Sequence, residues 1–186
     1  MLSTPIVPLA EAHLDAAAAT LAAAFDDYAW TRWVVPEENY EARLGELQRL
    51  YLAHARQHGI ALCSEGAAGV IALLPSDAPP PAEAVLARIA ELHGERLDRL
   101  GERGPAAGDW TLETVGVDPG VRGRGLGGRL VEAGLEAVRA RGCGSVVLET
   151  SDERNVALYR RHGFDVTSHI VSATGPEVWT MRRDLR

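Results

Sequence analysis

A turn rich in glycine joins an apolar stretch to a helical pattern in the second half of the chain. Its sequence is Val115-Gly-Val-Asp-Pro-Gly-Val-Arg122-Gly-Arg-Gly125-Leu-Gly127-Gly-Arg-Leu130. Glycines let the backbone adopt positive φ angles and approach a ligand closely. A helix that begins near Leu126 would direct its unpaired N–H groups and the positive end of its dipole toward the turn. The pattern predicts a site for an anion such as a diphosphate, although a tight connection without a ligand would use the same glycines.

Two other nucleotide-binding motifs fit this turn less well. The phosphate loop of ATPases requires Gly-x4-Gly-Lys-Ser/Thr, and the turn has no lysine followed by a hydroxyl residue. The dinucleotide fingerprint Gly-x-Gly-x-x-Gly belongs to an early βαβ unit and is followed after about twenty residues by an acid. Here the turn lies two thirds along the chain, and Arg141 and Gly142 stand where that acid is expected. Both motifs are therefore disfavoured.

The pattern Arg122-x-x-Gly125-x-Gly127, preceded by Val-x-Val-Asp-Pro, resembles the acyl-CoA pyrophosphate loop of the GNAT superfamily of N-acetyltransferases. A second segment resembles the other CoA-contacting segment of that superfamily: Leu148-Glu149-Thr150-Ser151-x3-Asn155-x3-Tyr159-x3-Gly163-Phe164. The resemblance implies that acetyl-CoA is the co-substrate. It also implies the residues that contact acetyl-CoA, which are Val115, Gly116, Val117, Arg122, Gly123, Arg124, Gly125, Leu126, Gly127, Gly128, Asn155 and Tyr159.

The chemistry that this resemblance implies is direct transfer of an acetyl group from acetyl-CoA to an amine in a ternary complex. Such a reaction needs a neutral amine, hydrogen-bond donors for the carbonyl oxyanion and a proton for the departing thiolate. Tyr159 lies four residues after Asn155 and thus on the same helical face, and the resemblance places it beside the sulfur as the acid. The backbone N–H of Val115 is the candidate oxyanion donor.

Several of these side chains have simpler interpretations. Glu113 and Glu149 lie on predicted strands near the site, where a carboxylate could take the proton of the amine or bind the ammonium. Structural hydrogen bonding is an equally good interpretation of both. Arg122 could form surface ion pairs only, Asn155 could be a local hydrogen-bonding residue at a helix start, and Tyr159 could be core packing.

The N-terminal half carries a further resemblance. It lies in Thr20-Leu-Ala-Ala-Ala-Phe25-x-Asp27-Tyr28-x-x-Thr31-Arg32 and Glu46-Leu47-Gln48-x-Leu-x-Leu52, which are similar to the puromycin N-acetyltransferases and their actinobacterial relatives. The similarity covers most of the chain and departs at Glu113 and around Trp30 and Trp33. It implies a small-molecule amine as the acceptor. Aminonucleosides and other antibiotics are the candidates, with a role in antibiotic resistance.

The acceptor pocket is predicted at Asp27, Tyr28, Trp30 and Trp33, an acidic and aromatic set suited to a cationic amine that carries a ring. An ordinary loop with core aromatic residues is the alternative interpretation. Two other functions stay open. One is a protein Nα- or lysine acetyltransferase, which would need an open groove for a peptide. The other is a non-catalytic acyl-CoA-binding domain, which the presence of Tyr159 disfavours.

Hydrophobic periodicity predicts the element order strand, two helices, hairpin, helix, strand, helix, strand, helix and two closing strands. This order predicts an α/β (α+β) fold in which helices flank a mixed sheet. The resemblance implies the GNAT fold, with a mostly antiparallel sheet of about 6–7 strands that splays between the strands near 110–117 and 145–149. Residues 26–33 are expected to interrupt the helices, and Pro36 to open the second helix. Thr111, Glu113, Val115 and Val117 are expected to share a strand face if no bulge intervenes.

Composition bounds the remaining possibilities. The chain has 186 residues, 46% hydrophobic and 24% charged, which predicts one domain over residues 1–186. Its net charge of −7 argues against a nucleic-acid partner. The six histidines and two cysteines show no metal-ligand spacing, so no metal is expected. With no predicted leader or membrane span, we expect a cytoplasmic monomer or homodimer without a membrane partner. Residues 101–109 are expected to form one wall of the acceptor cleft.

Overall fold

A computed structural model of the chain describes residues 5–101, 110–142 and 144–185. Its central feature is one seven-stranded sheet with the strand order β1-β2-β3-β4-β5-β7-β6. The strands are β1 (Ile6–Pro8), β2 (Ile60–Ser64), β3 (Gly69–Pro75), β4 (Trp110–Val117), β5 (Ser145–Thr150), β6 (Asp165–Ile170) and β7 (Val178–Asp184). The β4–β5 pair is parallel, and the other neighbouring pairs are antiparallel. The predicted mixed, mostly antiparallel sheet is thus confirmed.

Helices cover both faces of this sheet. They are α1 (Leu14–Phe25), α2 (Ala29–Val34), α3 (Tyr40–His58), α4 (Glu83–His93), α5 (Leu126–Arg139) and α6 (Glu153–Arg161). Apolar side chains of α5 and α6 bury one face against β3, β4 and β5, and those of α1 and α3 bury the other face against β2 and β3. Burial on both faces explains why β3 reads as the uninterrupted apolar run Gly-Val-Ile-Ala-Leu-Leu. That the whole chain is one domain stays a prediction.

β4 contains a bulge at Glu113. Ala72 of β3 pairs with Thr114 and the next residue, Leu73, pairs with Leu112, so Glu113 is the extra residue on β4. A bulge reverses the alternation of side chains beyond it. Leu112 therefore shares a face with Val115, and both contact the core under α5. Thr111, Glu113, Val115 and Val117 are expected to share a face only if no bulge intervenes, and the bulge at Glu113 means that they do not.

β4 and β5 part toward their carboxyl ends. Their register pairs are Trp110 with Val146 and Thr111 with Val147, although β4 continues to Val117 and β5 to Thr150. β4 remains paired with β3 as far as Val117, and β5 remains paired with β7 as far as Thr150. The backbone edges that face each other beyond Thr111 are therefore separated, and the predicted splay is present.

The region before α3 differs from the sequence-based expectation. Residues 29–34 form α2 instead of an interruption, and the following helix begins at Tyr40 instead of Pro36. A short helix leaves its last carbonyl groups without partners inside the helix. Here Arg96 donates hydrogen bonds to the carbonyls of Arg32 and Val35, and Arg99 donates one to the carbonyl of Trp33. These contacts from a distant 3₁₀ segment (Gly94–Leu100) explain why α2 could not be predicted locally.

Two further expectations concern the wall of the acceptor cleft and a membrane span. Residues 102–109, predicted as a wall of the acceptor cleft, lie outside them. None of the helices in the described part of the chain has the length and apolar character that crossing a membrane requires.

Candidate active site

A cleft of about 860 Å³ opens where β4 and β5 part. Three parts of the chain line it: the end of α1 and the loop after it (23–29), the end of β4 with the glycine turn (115–127), and the start of α6 with the residue before its cap (151–159). The splay therefore brings the two sequence motifs to one site. Of the predicted acceptor residues, Asp27 and Tyr28 also line this cleft.

The glycine turn has the geometry of an anion cradle. Gly123 and Gly125 adopt left-handed φ angles of 79° and 77°, and a Cβ placed on either would have no heavy atom within 4 Å. Gly125 is the N-cap of α5, where no side chain caps the helix and its first turn contains no acid. The N–H groups at this helix start are thus open in the sense that no side chain caps them, which suits a diphosphate.

The start of α6 lines the same cleft, but it disfavours a bound anion, whereas the start of α5 favours one. Asp152 caps α6 by accepting a hydrogen bond from the backbone N–H of Arg154. The Arg154 guanidinium also bonds the Asp152 carboxylate and holds the pKa of that carboxyl below its usual value. A carboxylate at a helix N-terminus occupies its N–H groups and repels a second anion. Of the two helix starts in this cleft, the start of α5 is therefore the one suited to a diphosphate.

Arg122 connects the turn to the end of α1. Its Nη2 donates a hydrogen bond to the carbonyl of Ala24 at 2.7 Å, and its Nε donates one to the carbonyl of Val117 at 3.2 Å. These contacts place the guanidinium on the wall of the cleft, where a ligand phosphate would also meet it. Arg124 is exposed as Arg122 is, but it does not line the cleft.

Two of the predicted cofactor-binding glycines serve packing. A Cβ on Gly116 would lie 2.8 Å from Leu21 and 3.0 Å from Ala24, so this glycine lets α1 lie close to β4. A Cβ on Gly128 would lie 3.0 Å from Nε2 of His162, and Gly128 does not line the cleft. Gly128 thus allows close contact between α5 and the end of α6. A role for it in holding acetyl-CoA stays a prediction.

Tyr159 and Asn155 lie one turn apart on α6, and both line the cleft. The Tyr159 side chain is buried and packs edge-to-face on Phe164, with ring centroids 5.8 Å apart. Burial, and next the Tyr28 phenol, raise the pKa of Tyr159 above its ordinary value. Tyr159 is therefore a neutral phenol at physiological pH, as a proton donor must be.

Thr150 is a functional candidate that the sequence motifs did not single out. Its side chain is 3% exposed. Its hydroxyl contacts the Tyr28 hydroxyl at 3.0 Å and accepts a hydrogen bond from Nδ2 of Asn155 at 3.2 Å. The backbone N–H of Ser151 donates to the Tyr28 hydroxyl at 2.6 Å. The place of Thr150 as the last residue of β5, two residues before the Asp152 cap of α6, is the signal that could have identified it.

The remaining predicted acceptor residues are less well placed. The Asp27 side chain is 97% exposed, and Arg32 lies 3.7 Å from its carboxylate while also pairing with Asp26. Trp30 and Trp33 do not line the cleft but pack against a core cluster of α3 and α4. The interpretation of both tryptophans as core aromatics therefore fits their positions better than a place in the acceptor pocket.

The two candidate bases are exposed on the strands beside the splay and do not line the cleft. Glu113 is the bulged residue of β4. Glu149 pairs with Thr180 of β7 and points to the opposite face from Thr150, because neighbouring strand residues alternate. Their role as bases stays a prediction. Among the described residues, no group of three or more His, Cys, Asp or Glu side chains could hold a metal ion.

Comparison with known proteins leads to the same family that the two sequence motifs resemble. Residues 22–164 match the model of the acetyltransferase (GNAT) family. The chain belongs to this family. Members of the GNAT family use acetyl-CoA, and the open N–H groups at the start of α5 fit its diphosphate.

Individual relatives of this GNAT chain match it over shorter stretches. It is 37% identical over 93 residues to the N-alpha-acetyltransferase RimI of Mycobacterium tuberculosis, covering 47% of this chain and 56% of RimI. It is 47% identical over 53 residues to a mycothiol acetyltransferase of Rhodococcus erythropolis, covering 27% of this chain and 18% of that protein. This chain thus spans only about half of the length of RimI and 18% of the length of the mycothiol acetyltransferase.

A solved structure gives similarity over nearly the whole GNAT chain. It is described as histone acetyltransferase HPA2 and related acetyltransferase from Corynebacterium glutamicum. The TM-score is 0.76 at 24% identity, and the match covers 98% of this chain and 96% of that one. At this identity the likeness supports the GNAT fold and no particular substrate.

Proposed function

We propose that this protein transfers an acetyl group from acetyl-CoA to an amine. One observation carries the proposal: the open N–H groups of the glycine turn and the neutral phenol of Tyr159 line a single cleft at the splay. The first can hold a diphosphate and the second can protonate a leaving thiolate, and acetyl-CoA carries both a diphosphate and a thioester.

The residues of the cleft divide the work of holding this substrate. The backbone of Gly123, Gly125 and the first turn of α5 would hold the diphosphate, with Arg122 beside it. The free edge of β4 at Val115 and Val117 would bond the amides of the pantetheine arm, and the Val115 N–H would donate to the developing oxyanion. Asn155 would hold the arm near the start of α6.

Tyr159 would act as the general acid that protonates the departing thiolate. Its buried position keeps the phenol neutral until that step. The base that accepts the proton of the amine is assigned to Glu113 or Glu149, which lie on the two strands that part at the splay.

A small-molecule amine is the proposed acceptor, with aminonucleosides such as puromycin and other antibiotics first among the candidates. The acidic pair Asp26 and Asp27 and the ring of Tyr28 at the mouth of the cleft support a cationic ligand that carries a ring. Such an enzyme would confer resistance inside the cytoplasm, as a monomer or homodimer. A second candidate is acetylation of protein N-termini, favoured by the similarity to RimI.

A panel of amines tests the proposal. The protein is incubated with acetyl-CoA and, in separate assays, with puromycin, aminoacyl analogues, arylalkylamines and peptides with free N-termini. Release of free thiol is measured, and the masses of the products are determined by mass spectrometry. Acetylation of a small amine supports the first candidate. Turnover of peptides alone assigns the protein to N-terminal acetylation, and no binding of acetyl-CoA by calorimetry would reject both.

A further inference from the structure

The other hydrogen-bond partners of Thr150 determine which hydroxyl donates in its bond with Tyr28. A hydroxyl has one proton to donate and two lone pairs that accept. The Thr150 hydroxyl accepts from Nδ2 of Asn155 at 3.2 Å and from the backbone N–H of Asp152 at 3.4 Å. Both of these groups are donors only, so they occupy its two lone pairs. The proton of Thr150 is therefore donated to the Tyr28 oxygen, 3.0 Å away.

The hydrogen-bond partners of Tyr28 leave the proton of its own hydroxyl available for another acceptor. Its oxygen accepts from Thr150 and from the backbone N–H of Ser151 at 2.6 Å. A phenol oxygen that accepts two hydrogen bonds directs its O–H away from both donors. Phe25 holds the ring edge-to-face, with centroids 5.2 Å apart, so the ring is also fixed. Tyr28 and Tyr159 both line the cleft, so a group bound between them could accept this O–H.

We propose that the Tyr28 O–H is a second hydrogen-bond donor to the carbonyl oxygen of the acetyl group, and that Thr150 is the positioning residue that keeps this proton pointed at it. This inference rests on the proposed acetyltransferase function. It gives the Tyr28 hydroxyl a catalytic role in addition to the proposed place of its ring in the acceptor pocket, and it gives Thr150 a reason to be buried with a fully used hydroxyl.

Charge development in the reaction explains why the carbonyl oxygen is the partner. Attack of the amine nitrogen on the carbonyl carbon places negative charge on that oxygen until the carbon–sulfur bond breaks. The departing thiolate takes the proton of Tyr159. The proton released by the amine is taken by the proposed base, Glu113 or Glu149, and Tyr159 regains a proton through solvent. Tyr28 keeps its proton throughout and only donates a hydrogen bond. A donor whose direction is fixed beforehand needs no reorganisation at that moment, which makes such donors effective.

Infrared difference spectroscopy with acetyl-CoA labelled at the carbonyl carbon tests the donor without any acceptor amine. In the natural protein, the carbonyl stretch of bound acetyl-CoA is expected at lower wavenumber than that of free acetyl-CoA, because a hydrogen bond weakens the carbonyl bond. Tyr28→Phe should return the band toward the free value, while acetyl-CoA affinity changes little. Tyr51→Phe is the matched control, since it removes a phenol outside the lining of the cleft and should leave the band unchanged.

Kinetics of the fastest amine in the panel should agree with the spectra. Loss of one oxyanion donor lowers kcat by about 10²- to 10³-fold, so Tyr28→Phe is expected in that range. Thr150→Val removes the donor to Tyr28 at similar volume and should shift the band in the same direction. Thr150→Ser keeps the hydroxyl and should restore both the band and kcat.

The outcomes separate this inference from the proposed function. If Tyr28→Phe binds acetyl-CoA with an unchanged carbonyl band and an unchanged kcat, the Tyr28 hydroxyl only ties two segments together and the inference is rejected. The inference is also rejected if Thr150→Ser behaves as Thr150→Val. If the natural protein itself fails to bind acetyl-CoA, the proposed function fails before the role of Tyr28 is reached.

Discussion

Gly125 and Gly66 share one backbone conformation, with φ angles of 77° and 76°, but they differ in position. Gly125 lies in the cleft at the start of α5, whereas Gly66 lies in the turn between β2 and β3. A Cβ on either residue would have no heavy atom within 4 Å. The two positions therefore impose the same backbone strain on a substituted side chain, and only the first lies at the proposed diphosphate site.

This pair allows the cradle to be tested with a matched control. Acetyl-CoA is expected to raise the melting temperature, because a ligand that binds only the folded state stabilises it by about 2.7 kcal/mol at one hundred times its Kd. Gly125→Asp should abolish this rise, since the carboxylate fills the cradle and repels the diphosphate. Gly66→Asp should lose comparable intrinsic stability, about 1 kcal/mol, and keep the full rise. Differential scanning calorimetry with and without acetyl-CoA decides, and an undiminished rise in Gly125→Asp would remove the cradle from the mechanism.

Arg122 is expected to contribute to stability even without ligand, because its guanidinium bonds the carbonyls of Ala24 and Val117. Arg122→Lys keeps the charge but loses the planar group that reaches both carbonyls. The expected loss is about 1 kcal/mol, or roughly 2–4 °C in Tm for a chain of this length, together with weaker acetyl-CoA binding. A variant that binds acetyl-CoA more weakly while its unliganded Tm is unchanged would show that the contacts to α1 contribute nothing.

Local patterns identified cleft-lining residues more completely among the predicted cofactor contacts than among the predicted acceptor residues. The glycine turn and the positions of Asn155 and Tyr159 depend on neighbours within a few residues, and all of them line the cleft. The bulge at Glu113 depends on how β4 pairs with β3, which no local pattern records. The placement of Trp30 and Trp33 depends on α2, whose end is held by Arg96 and Arg99 of a distant segment.

Thr150 and Gly128 illustrate the same limit at single positions. Thr150 reads as an ordinary strand residue, and its importance arises from the side chain of Tyr28, which reaches it from the other half of the chain. Gly128 reads as part of the cradle, but the His162 ring that a Cβ on Gly128 would meet comes from the end of another helix. Sequence spacing identifies which segments meet a ligand, whereas tertiary contacts decide which side chains within them do so.

Acid is expected to destabilise the fold through His93. This side chain is buried; Nδ1 donates a hydrogen bond to the carbonyl of Val34 at 2.8 Å, and burial holds the pKa of His93 below its usual value. Because the folded state resists protonation, the unfolded state binds more protons once the pH falls below about 6.5. The stability associated with His93 is thus present above that pH and is lost as the pH falls toward the folded pKa.

Urea unfolding at pH 7.5 and pH 5.5 measures this effect. The free energy of unfolding of the natural protein should be smaller at the lower pH. In His93→Gln, which has no titrating side chain at this position, the free energy of unfolding should fall by less. His54 and His162 also have pKa values lowered mainly by burial, so part of the acid effect should persist in the variant. An identical loss in His93→Gln and the natural protein would mean that His93 does not contribute.

Removal of the Tyr159 hydroxyl is expected to slow the chemical step and to leave binding nearly intact. Tyr159→Phe keeps the ring that packs on Phe164 and removes only the proton, so kcat should fall by roughly ten- to a thousandfold. Because burial raises the pKa of Tyr159, its phenol stays protonated in alkaline assays, and no loss of kcat up to pH 9 should be traceable to its ionisation. Phe164→Leu provides the opposite control: it disturbs the packing partner and should lower Tm while most of kcat remains. Stopped-flow measurement of thiol release establishes whether chemistry limits the rate. If Tyr159→Phe then retains full kcat, Tyr159 serves packing alone, and the thiolate must leave unprotonated or take its proton from water.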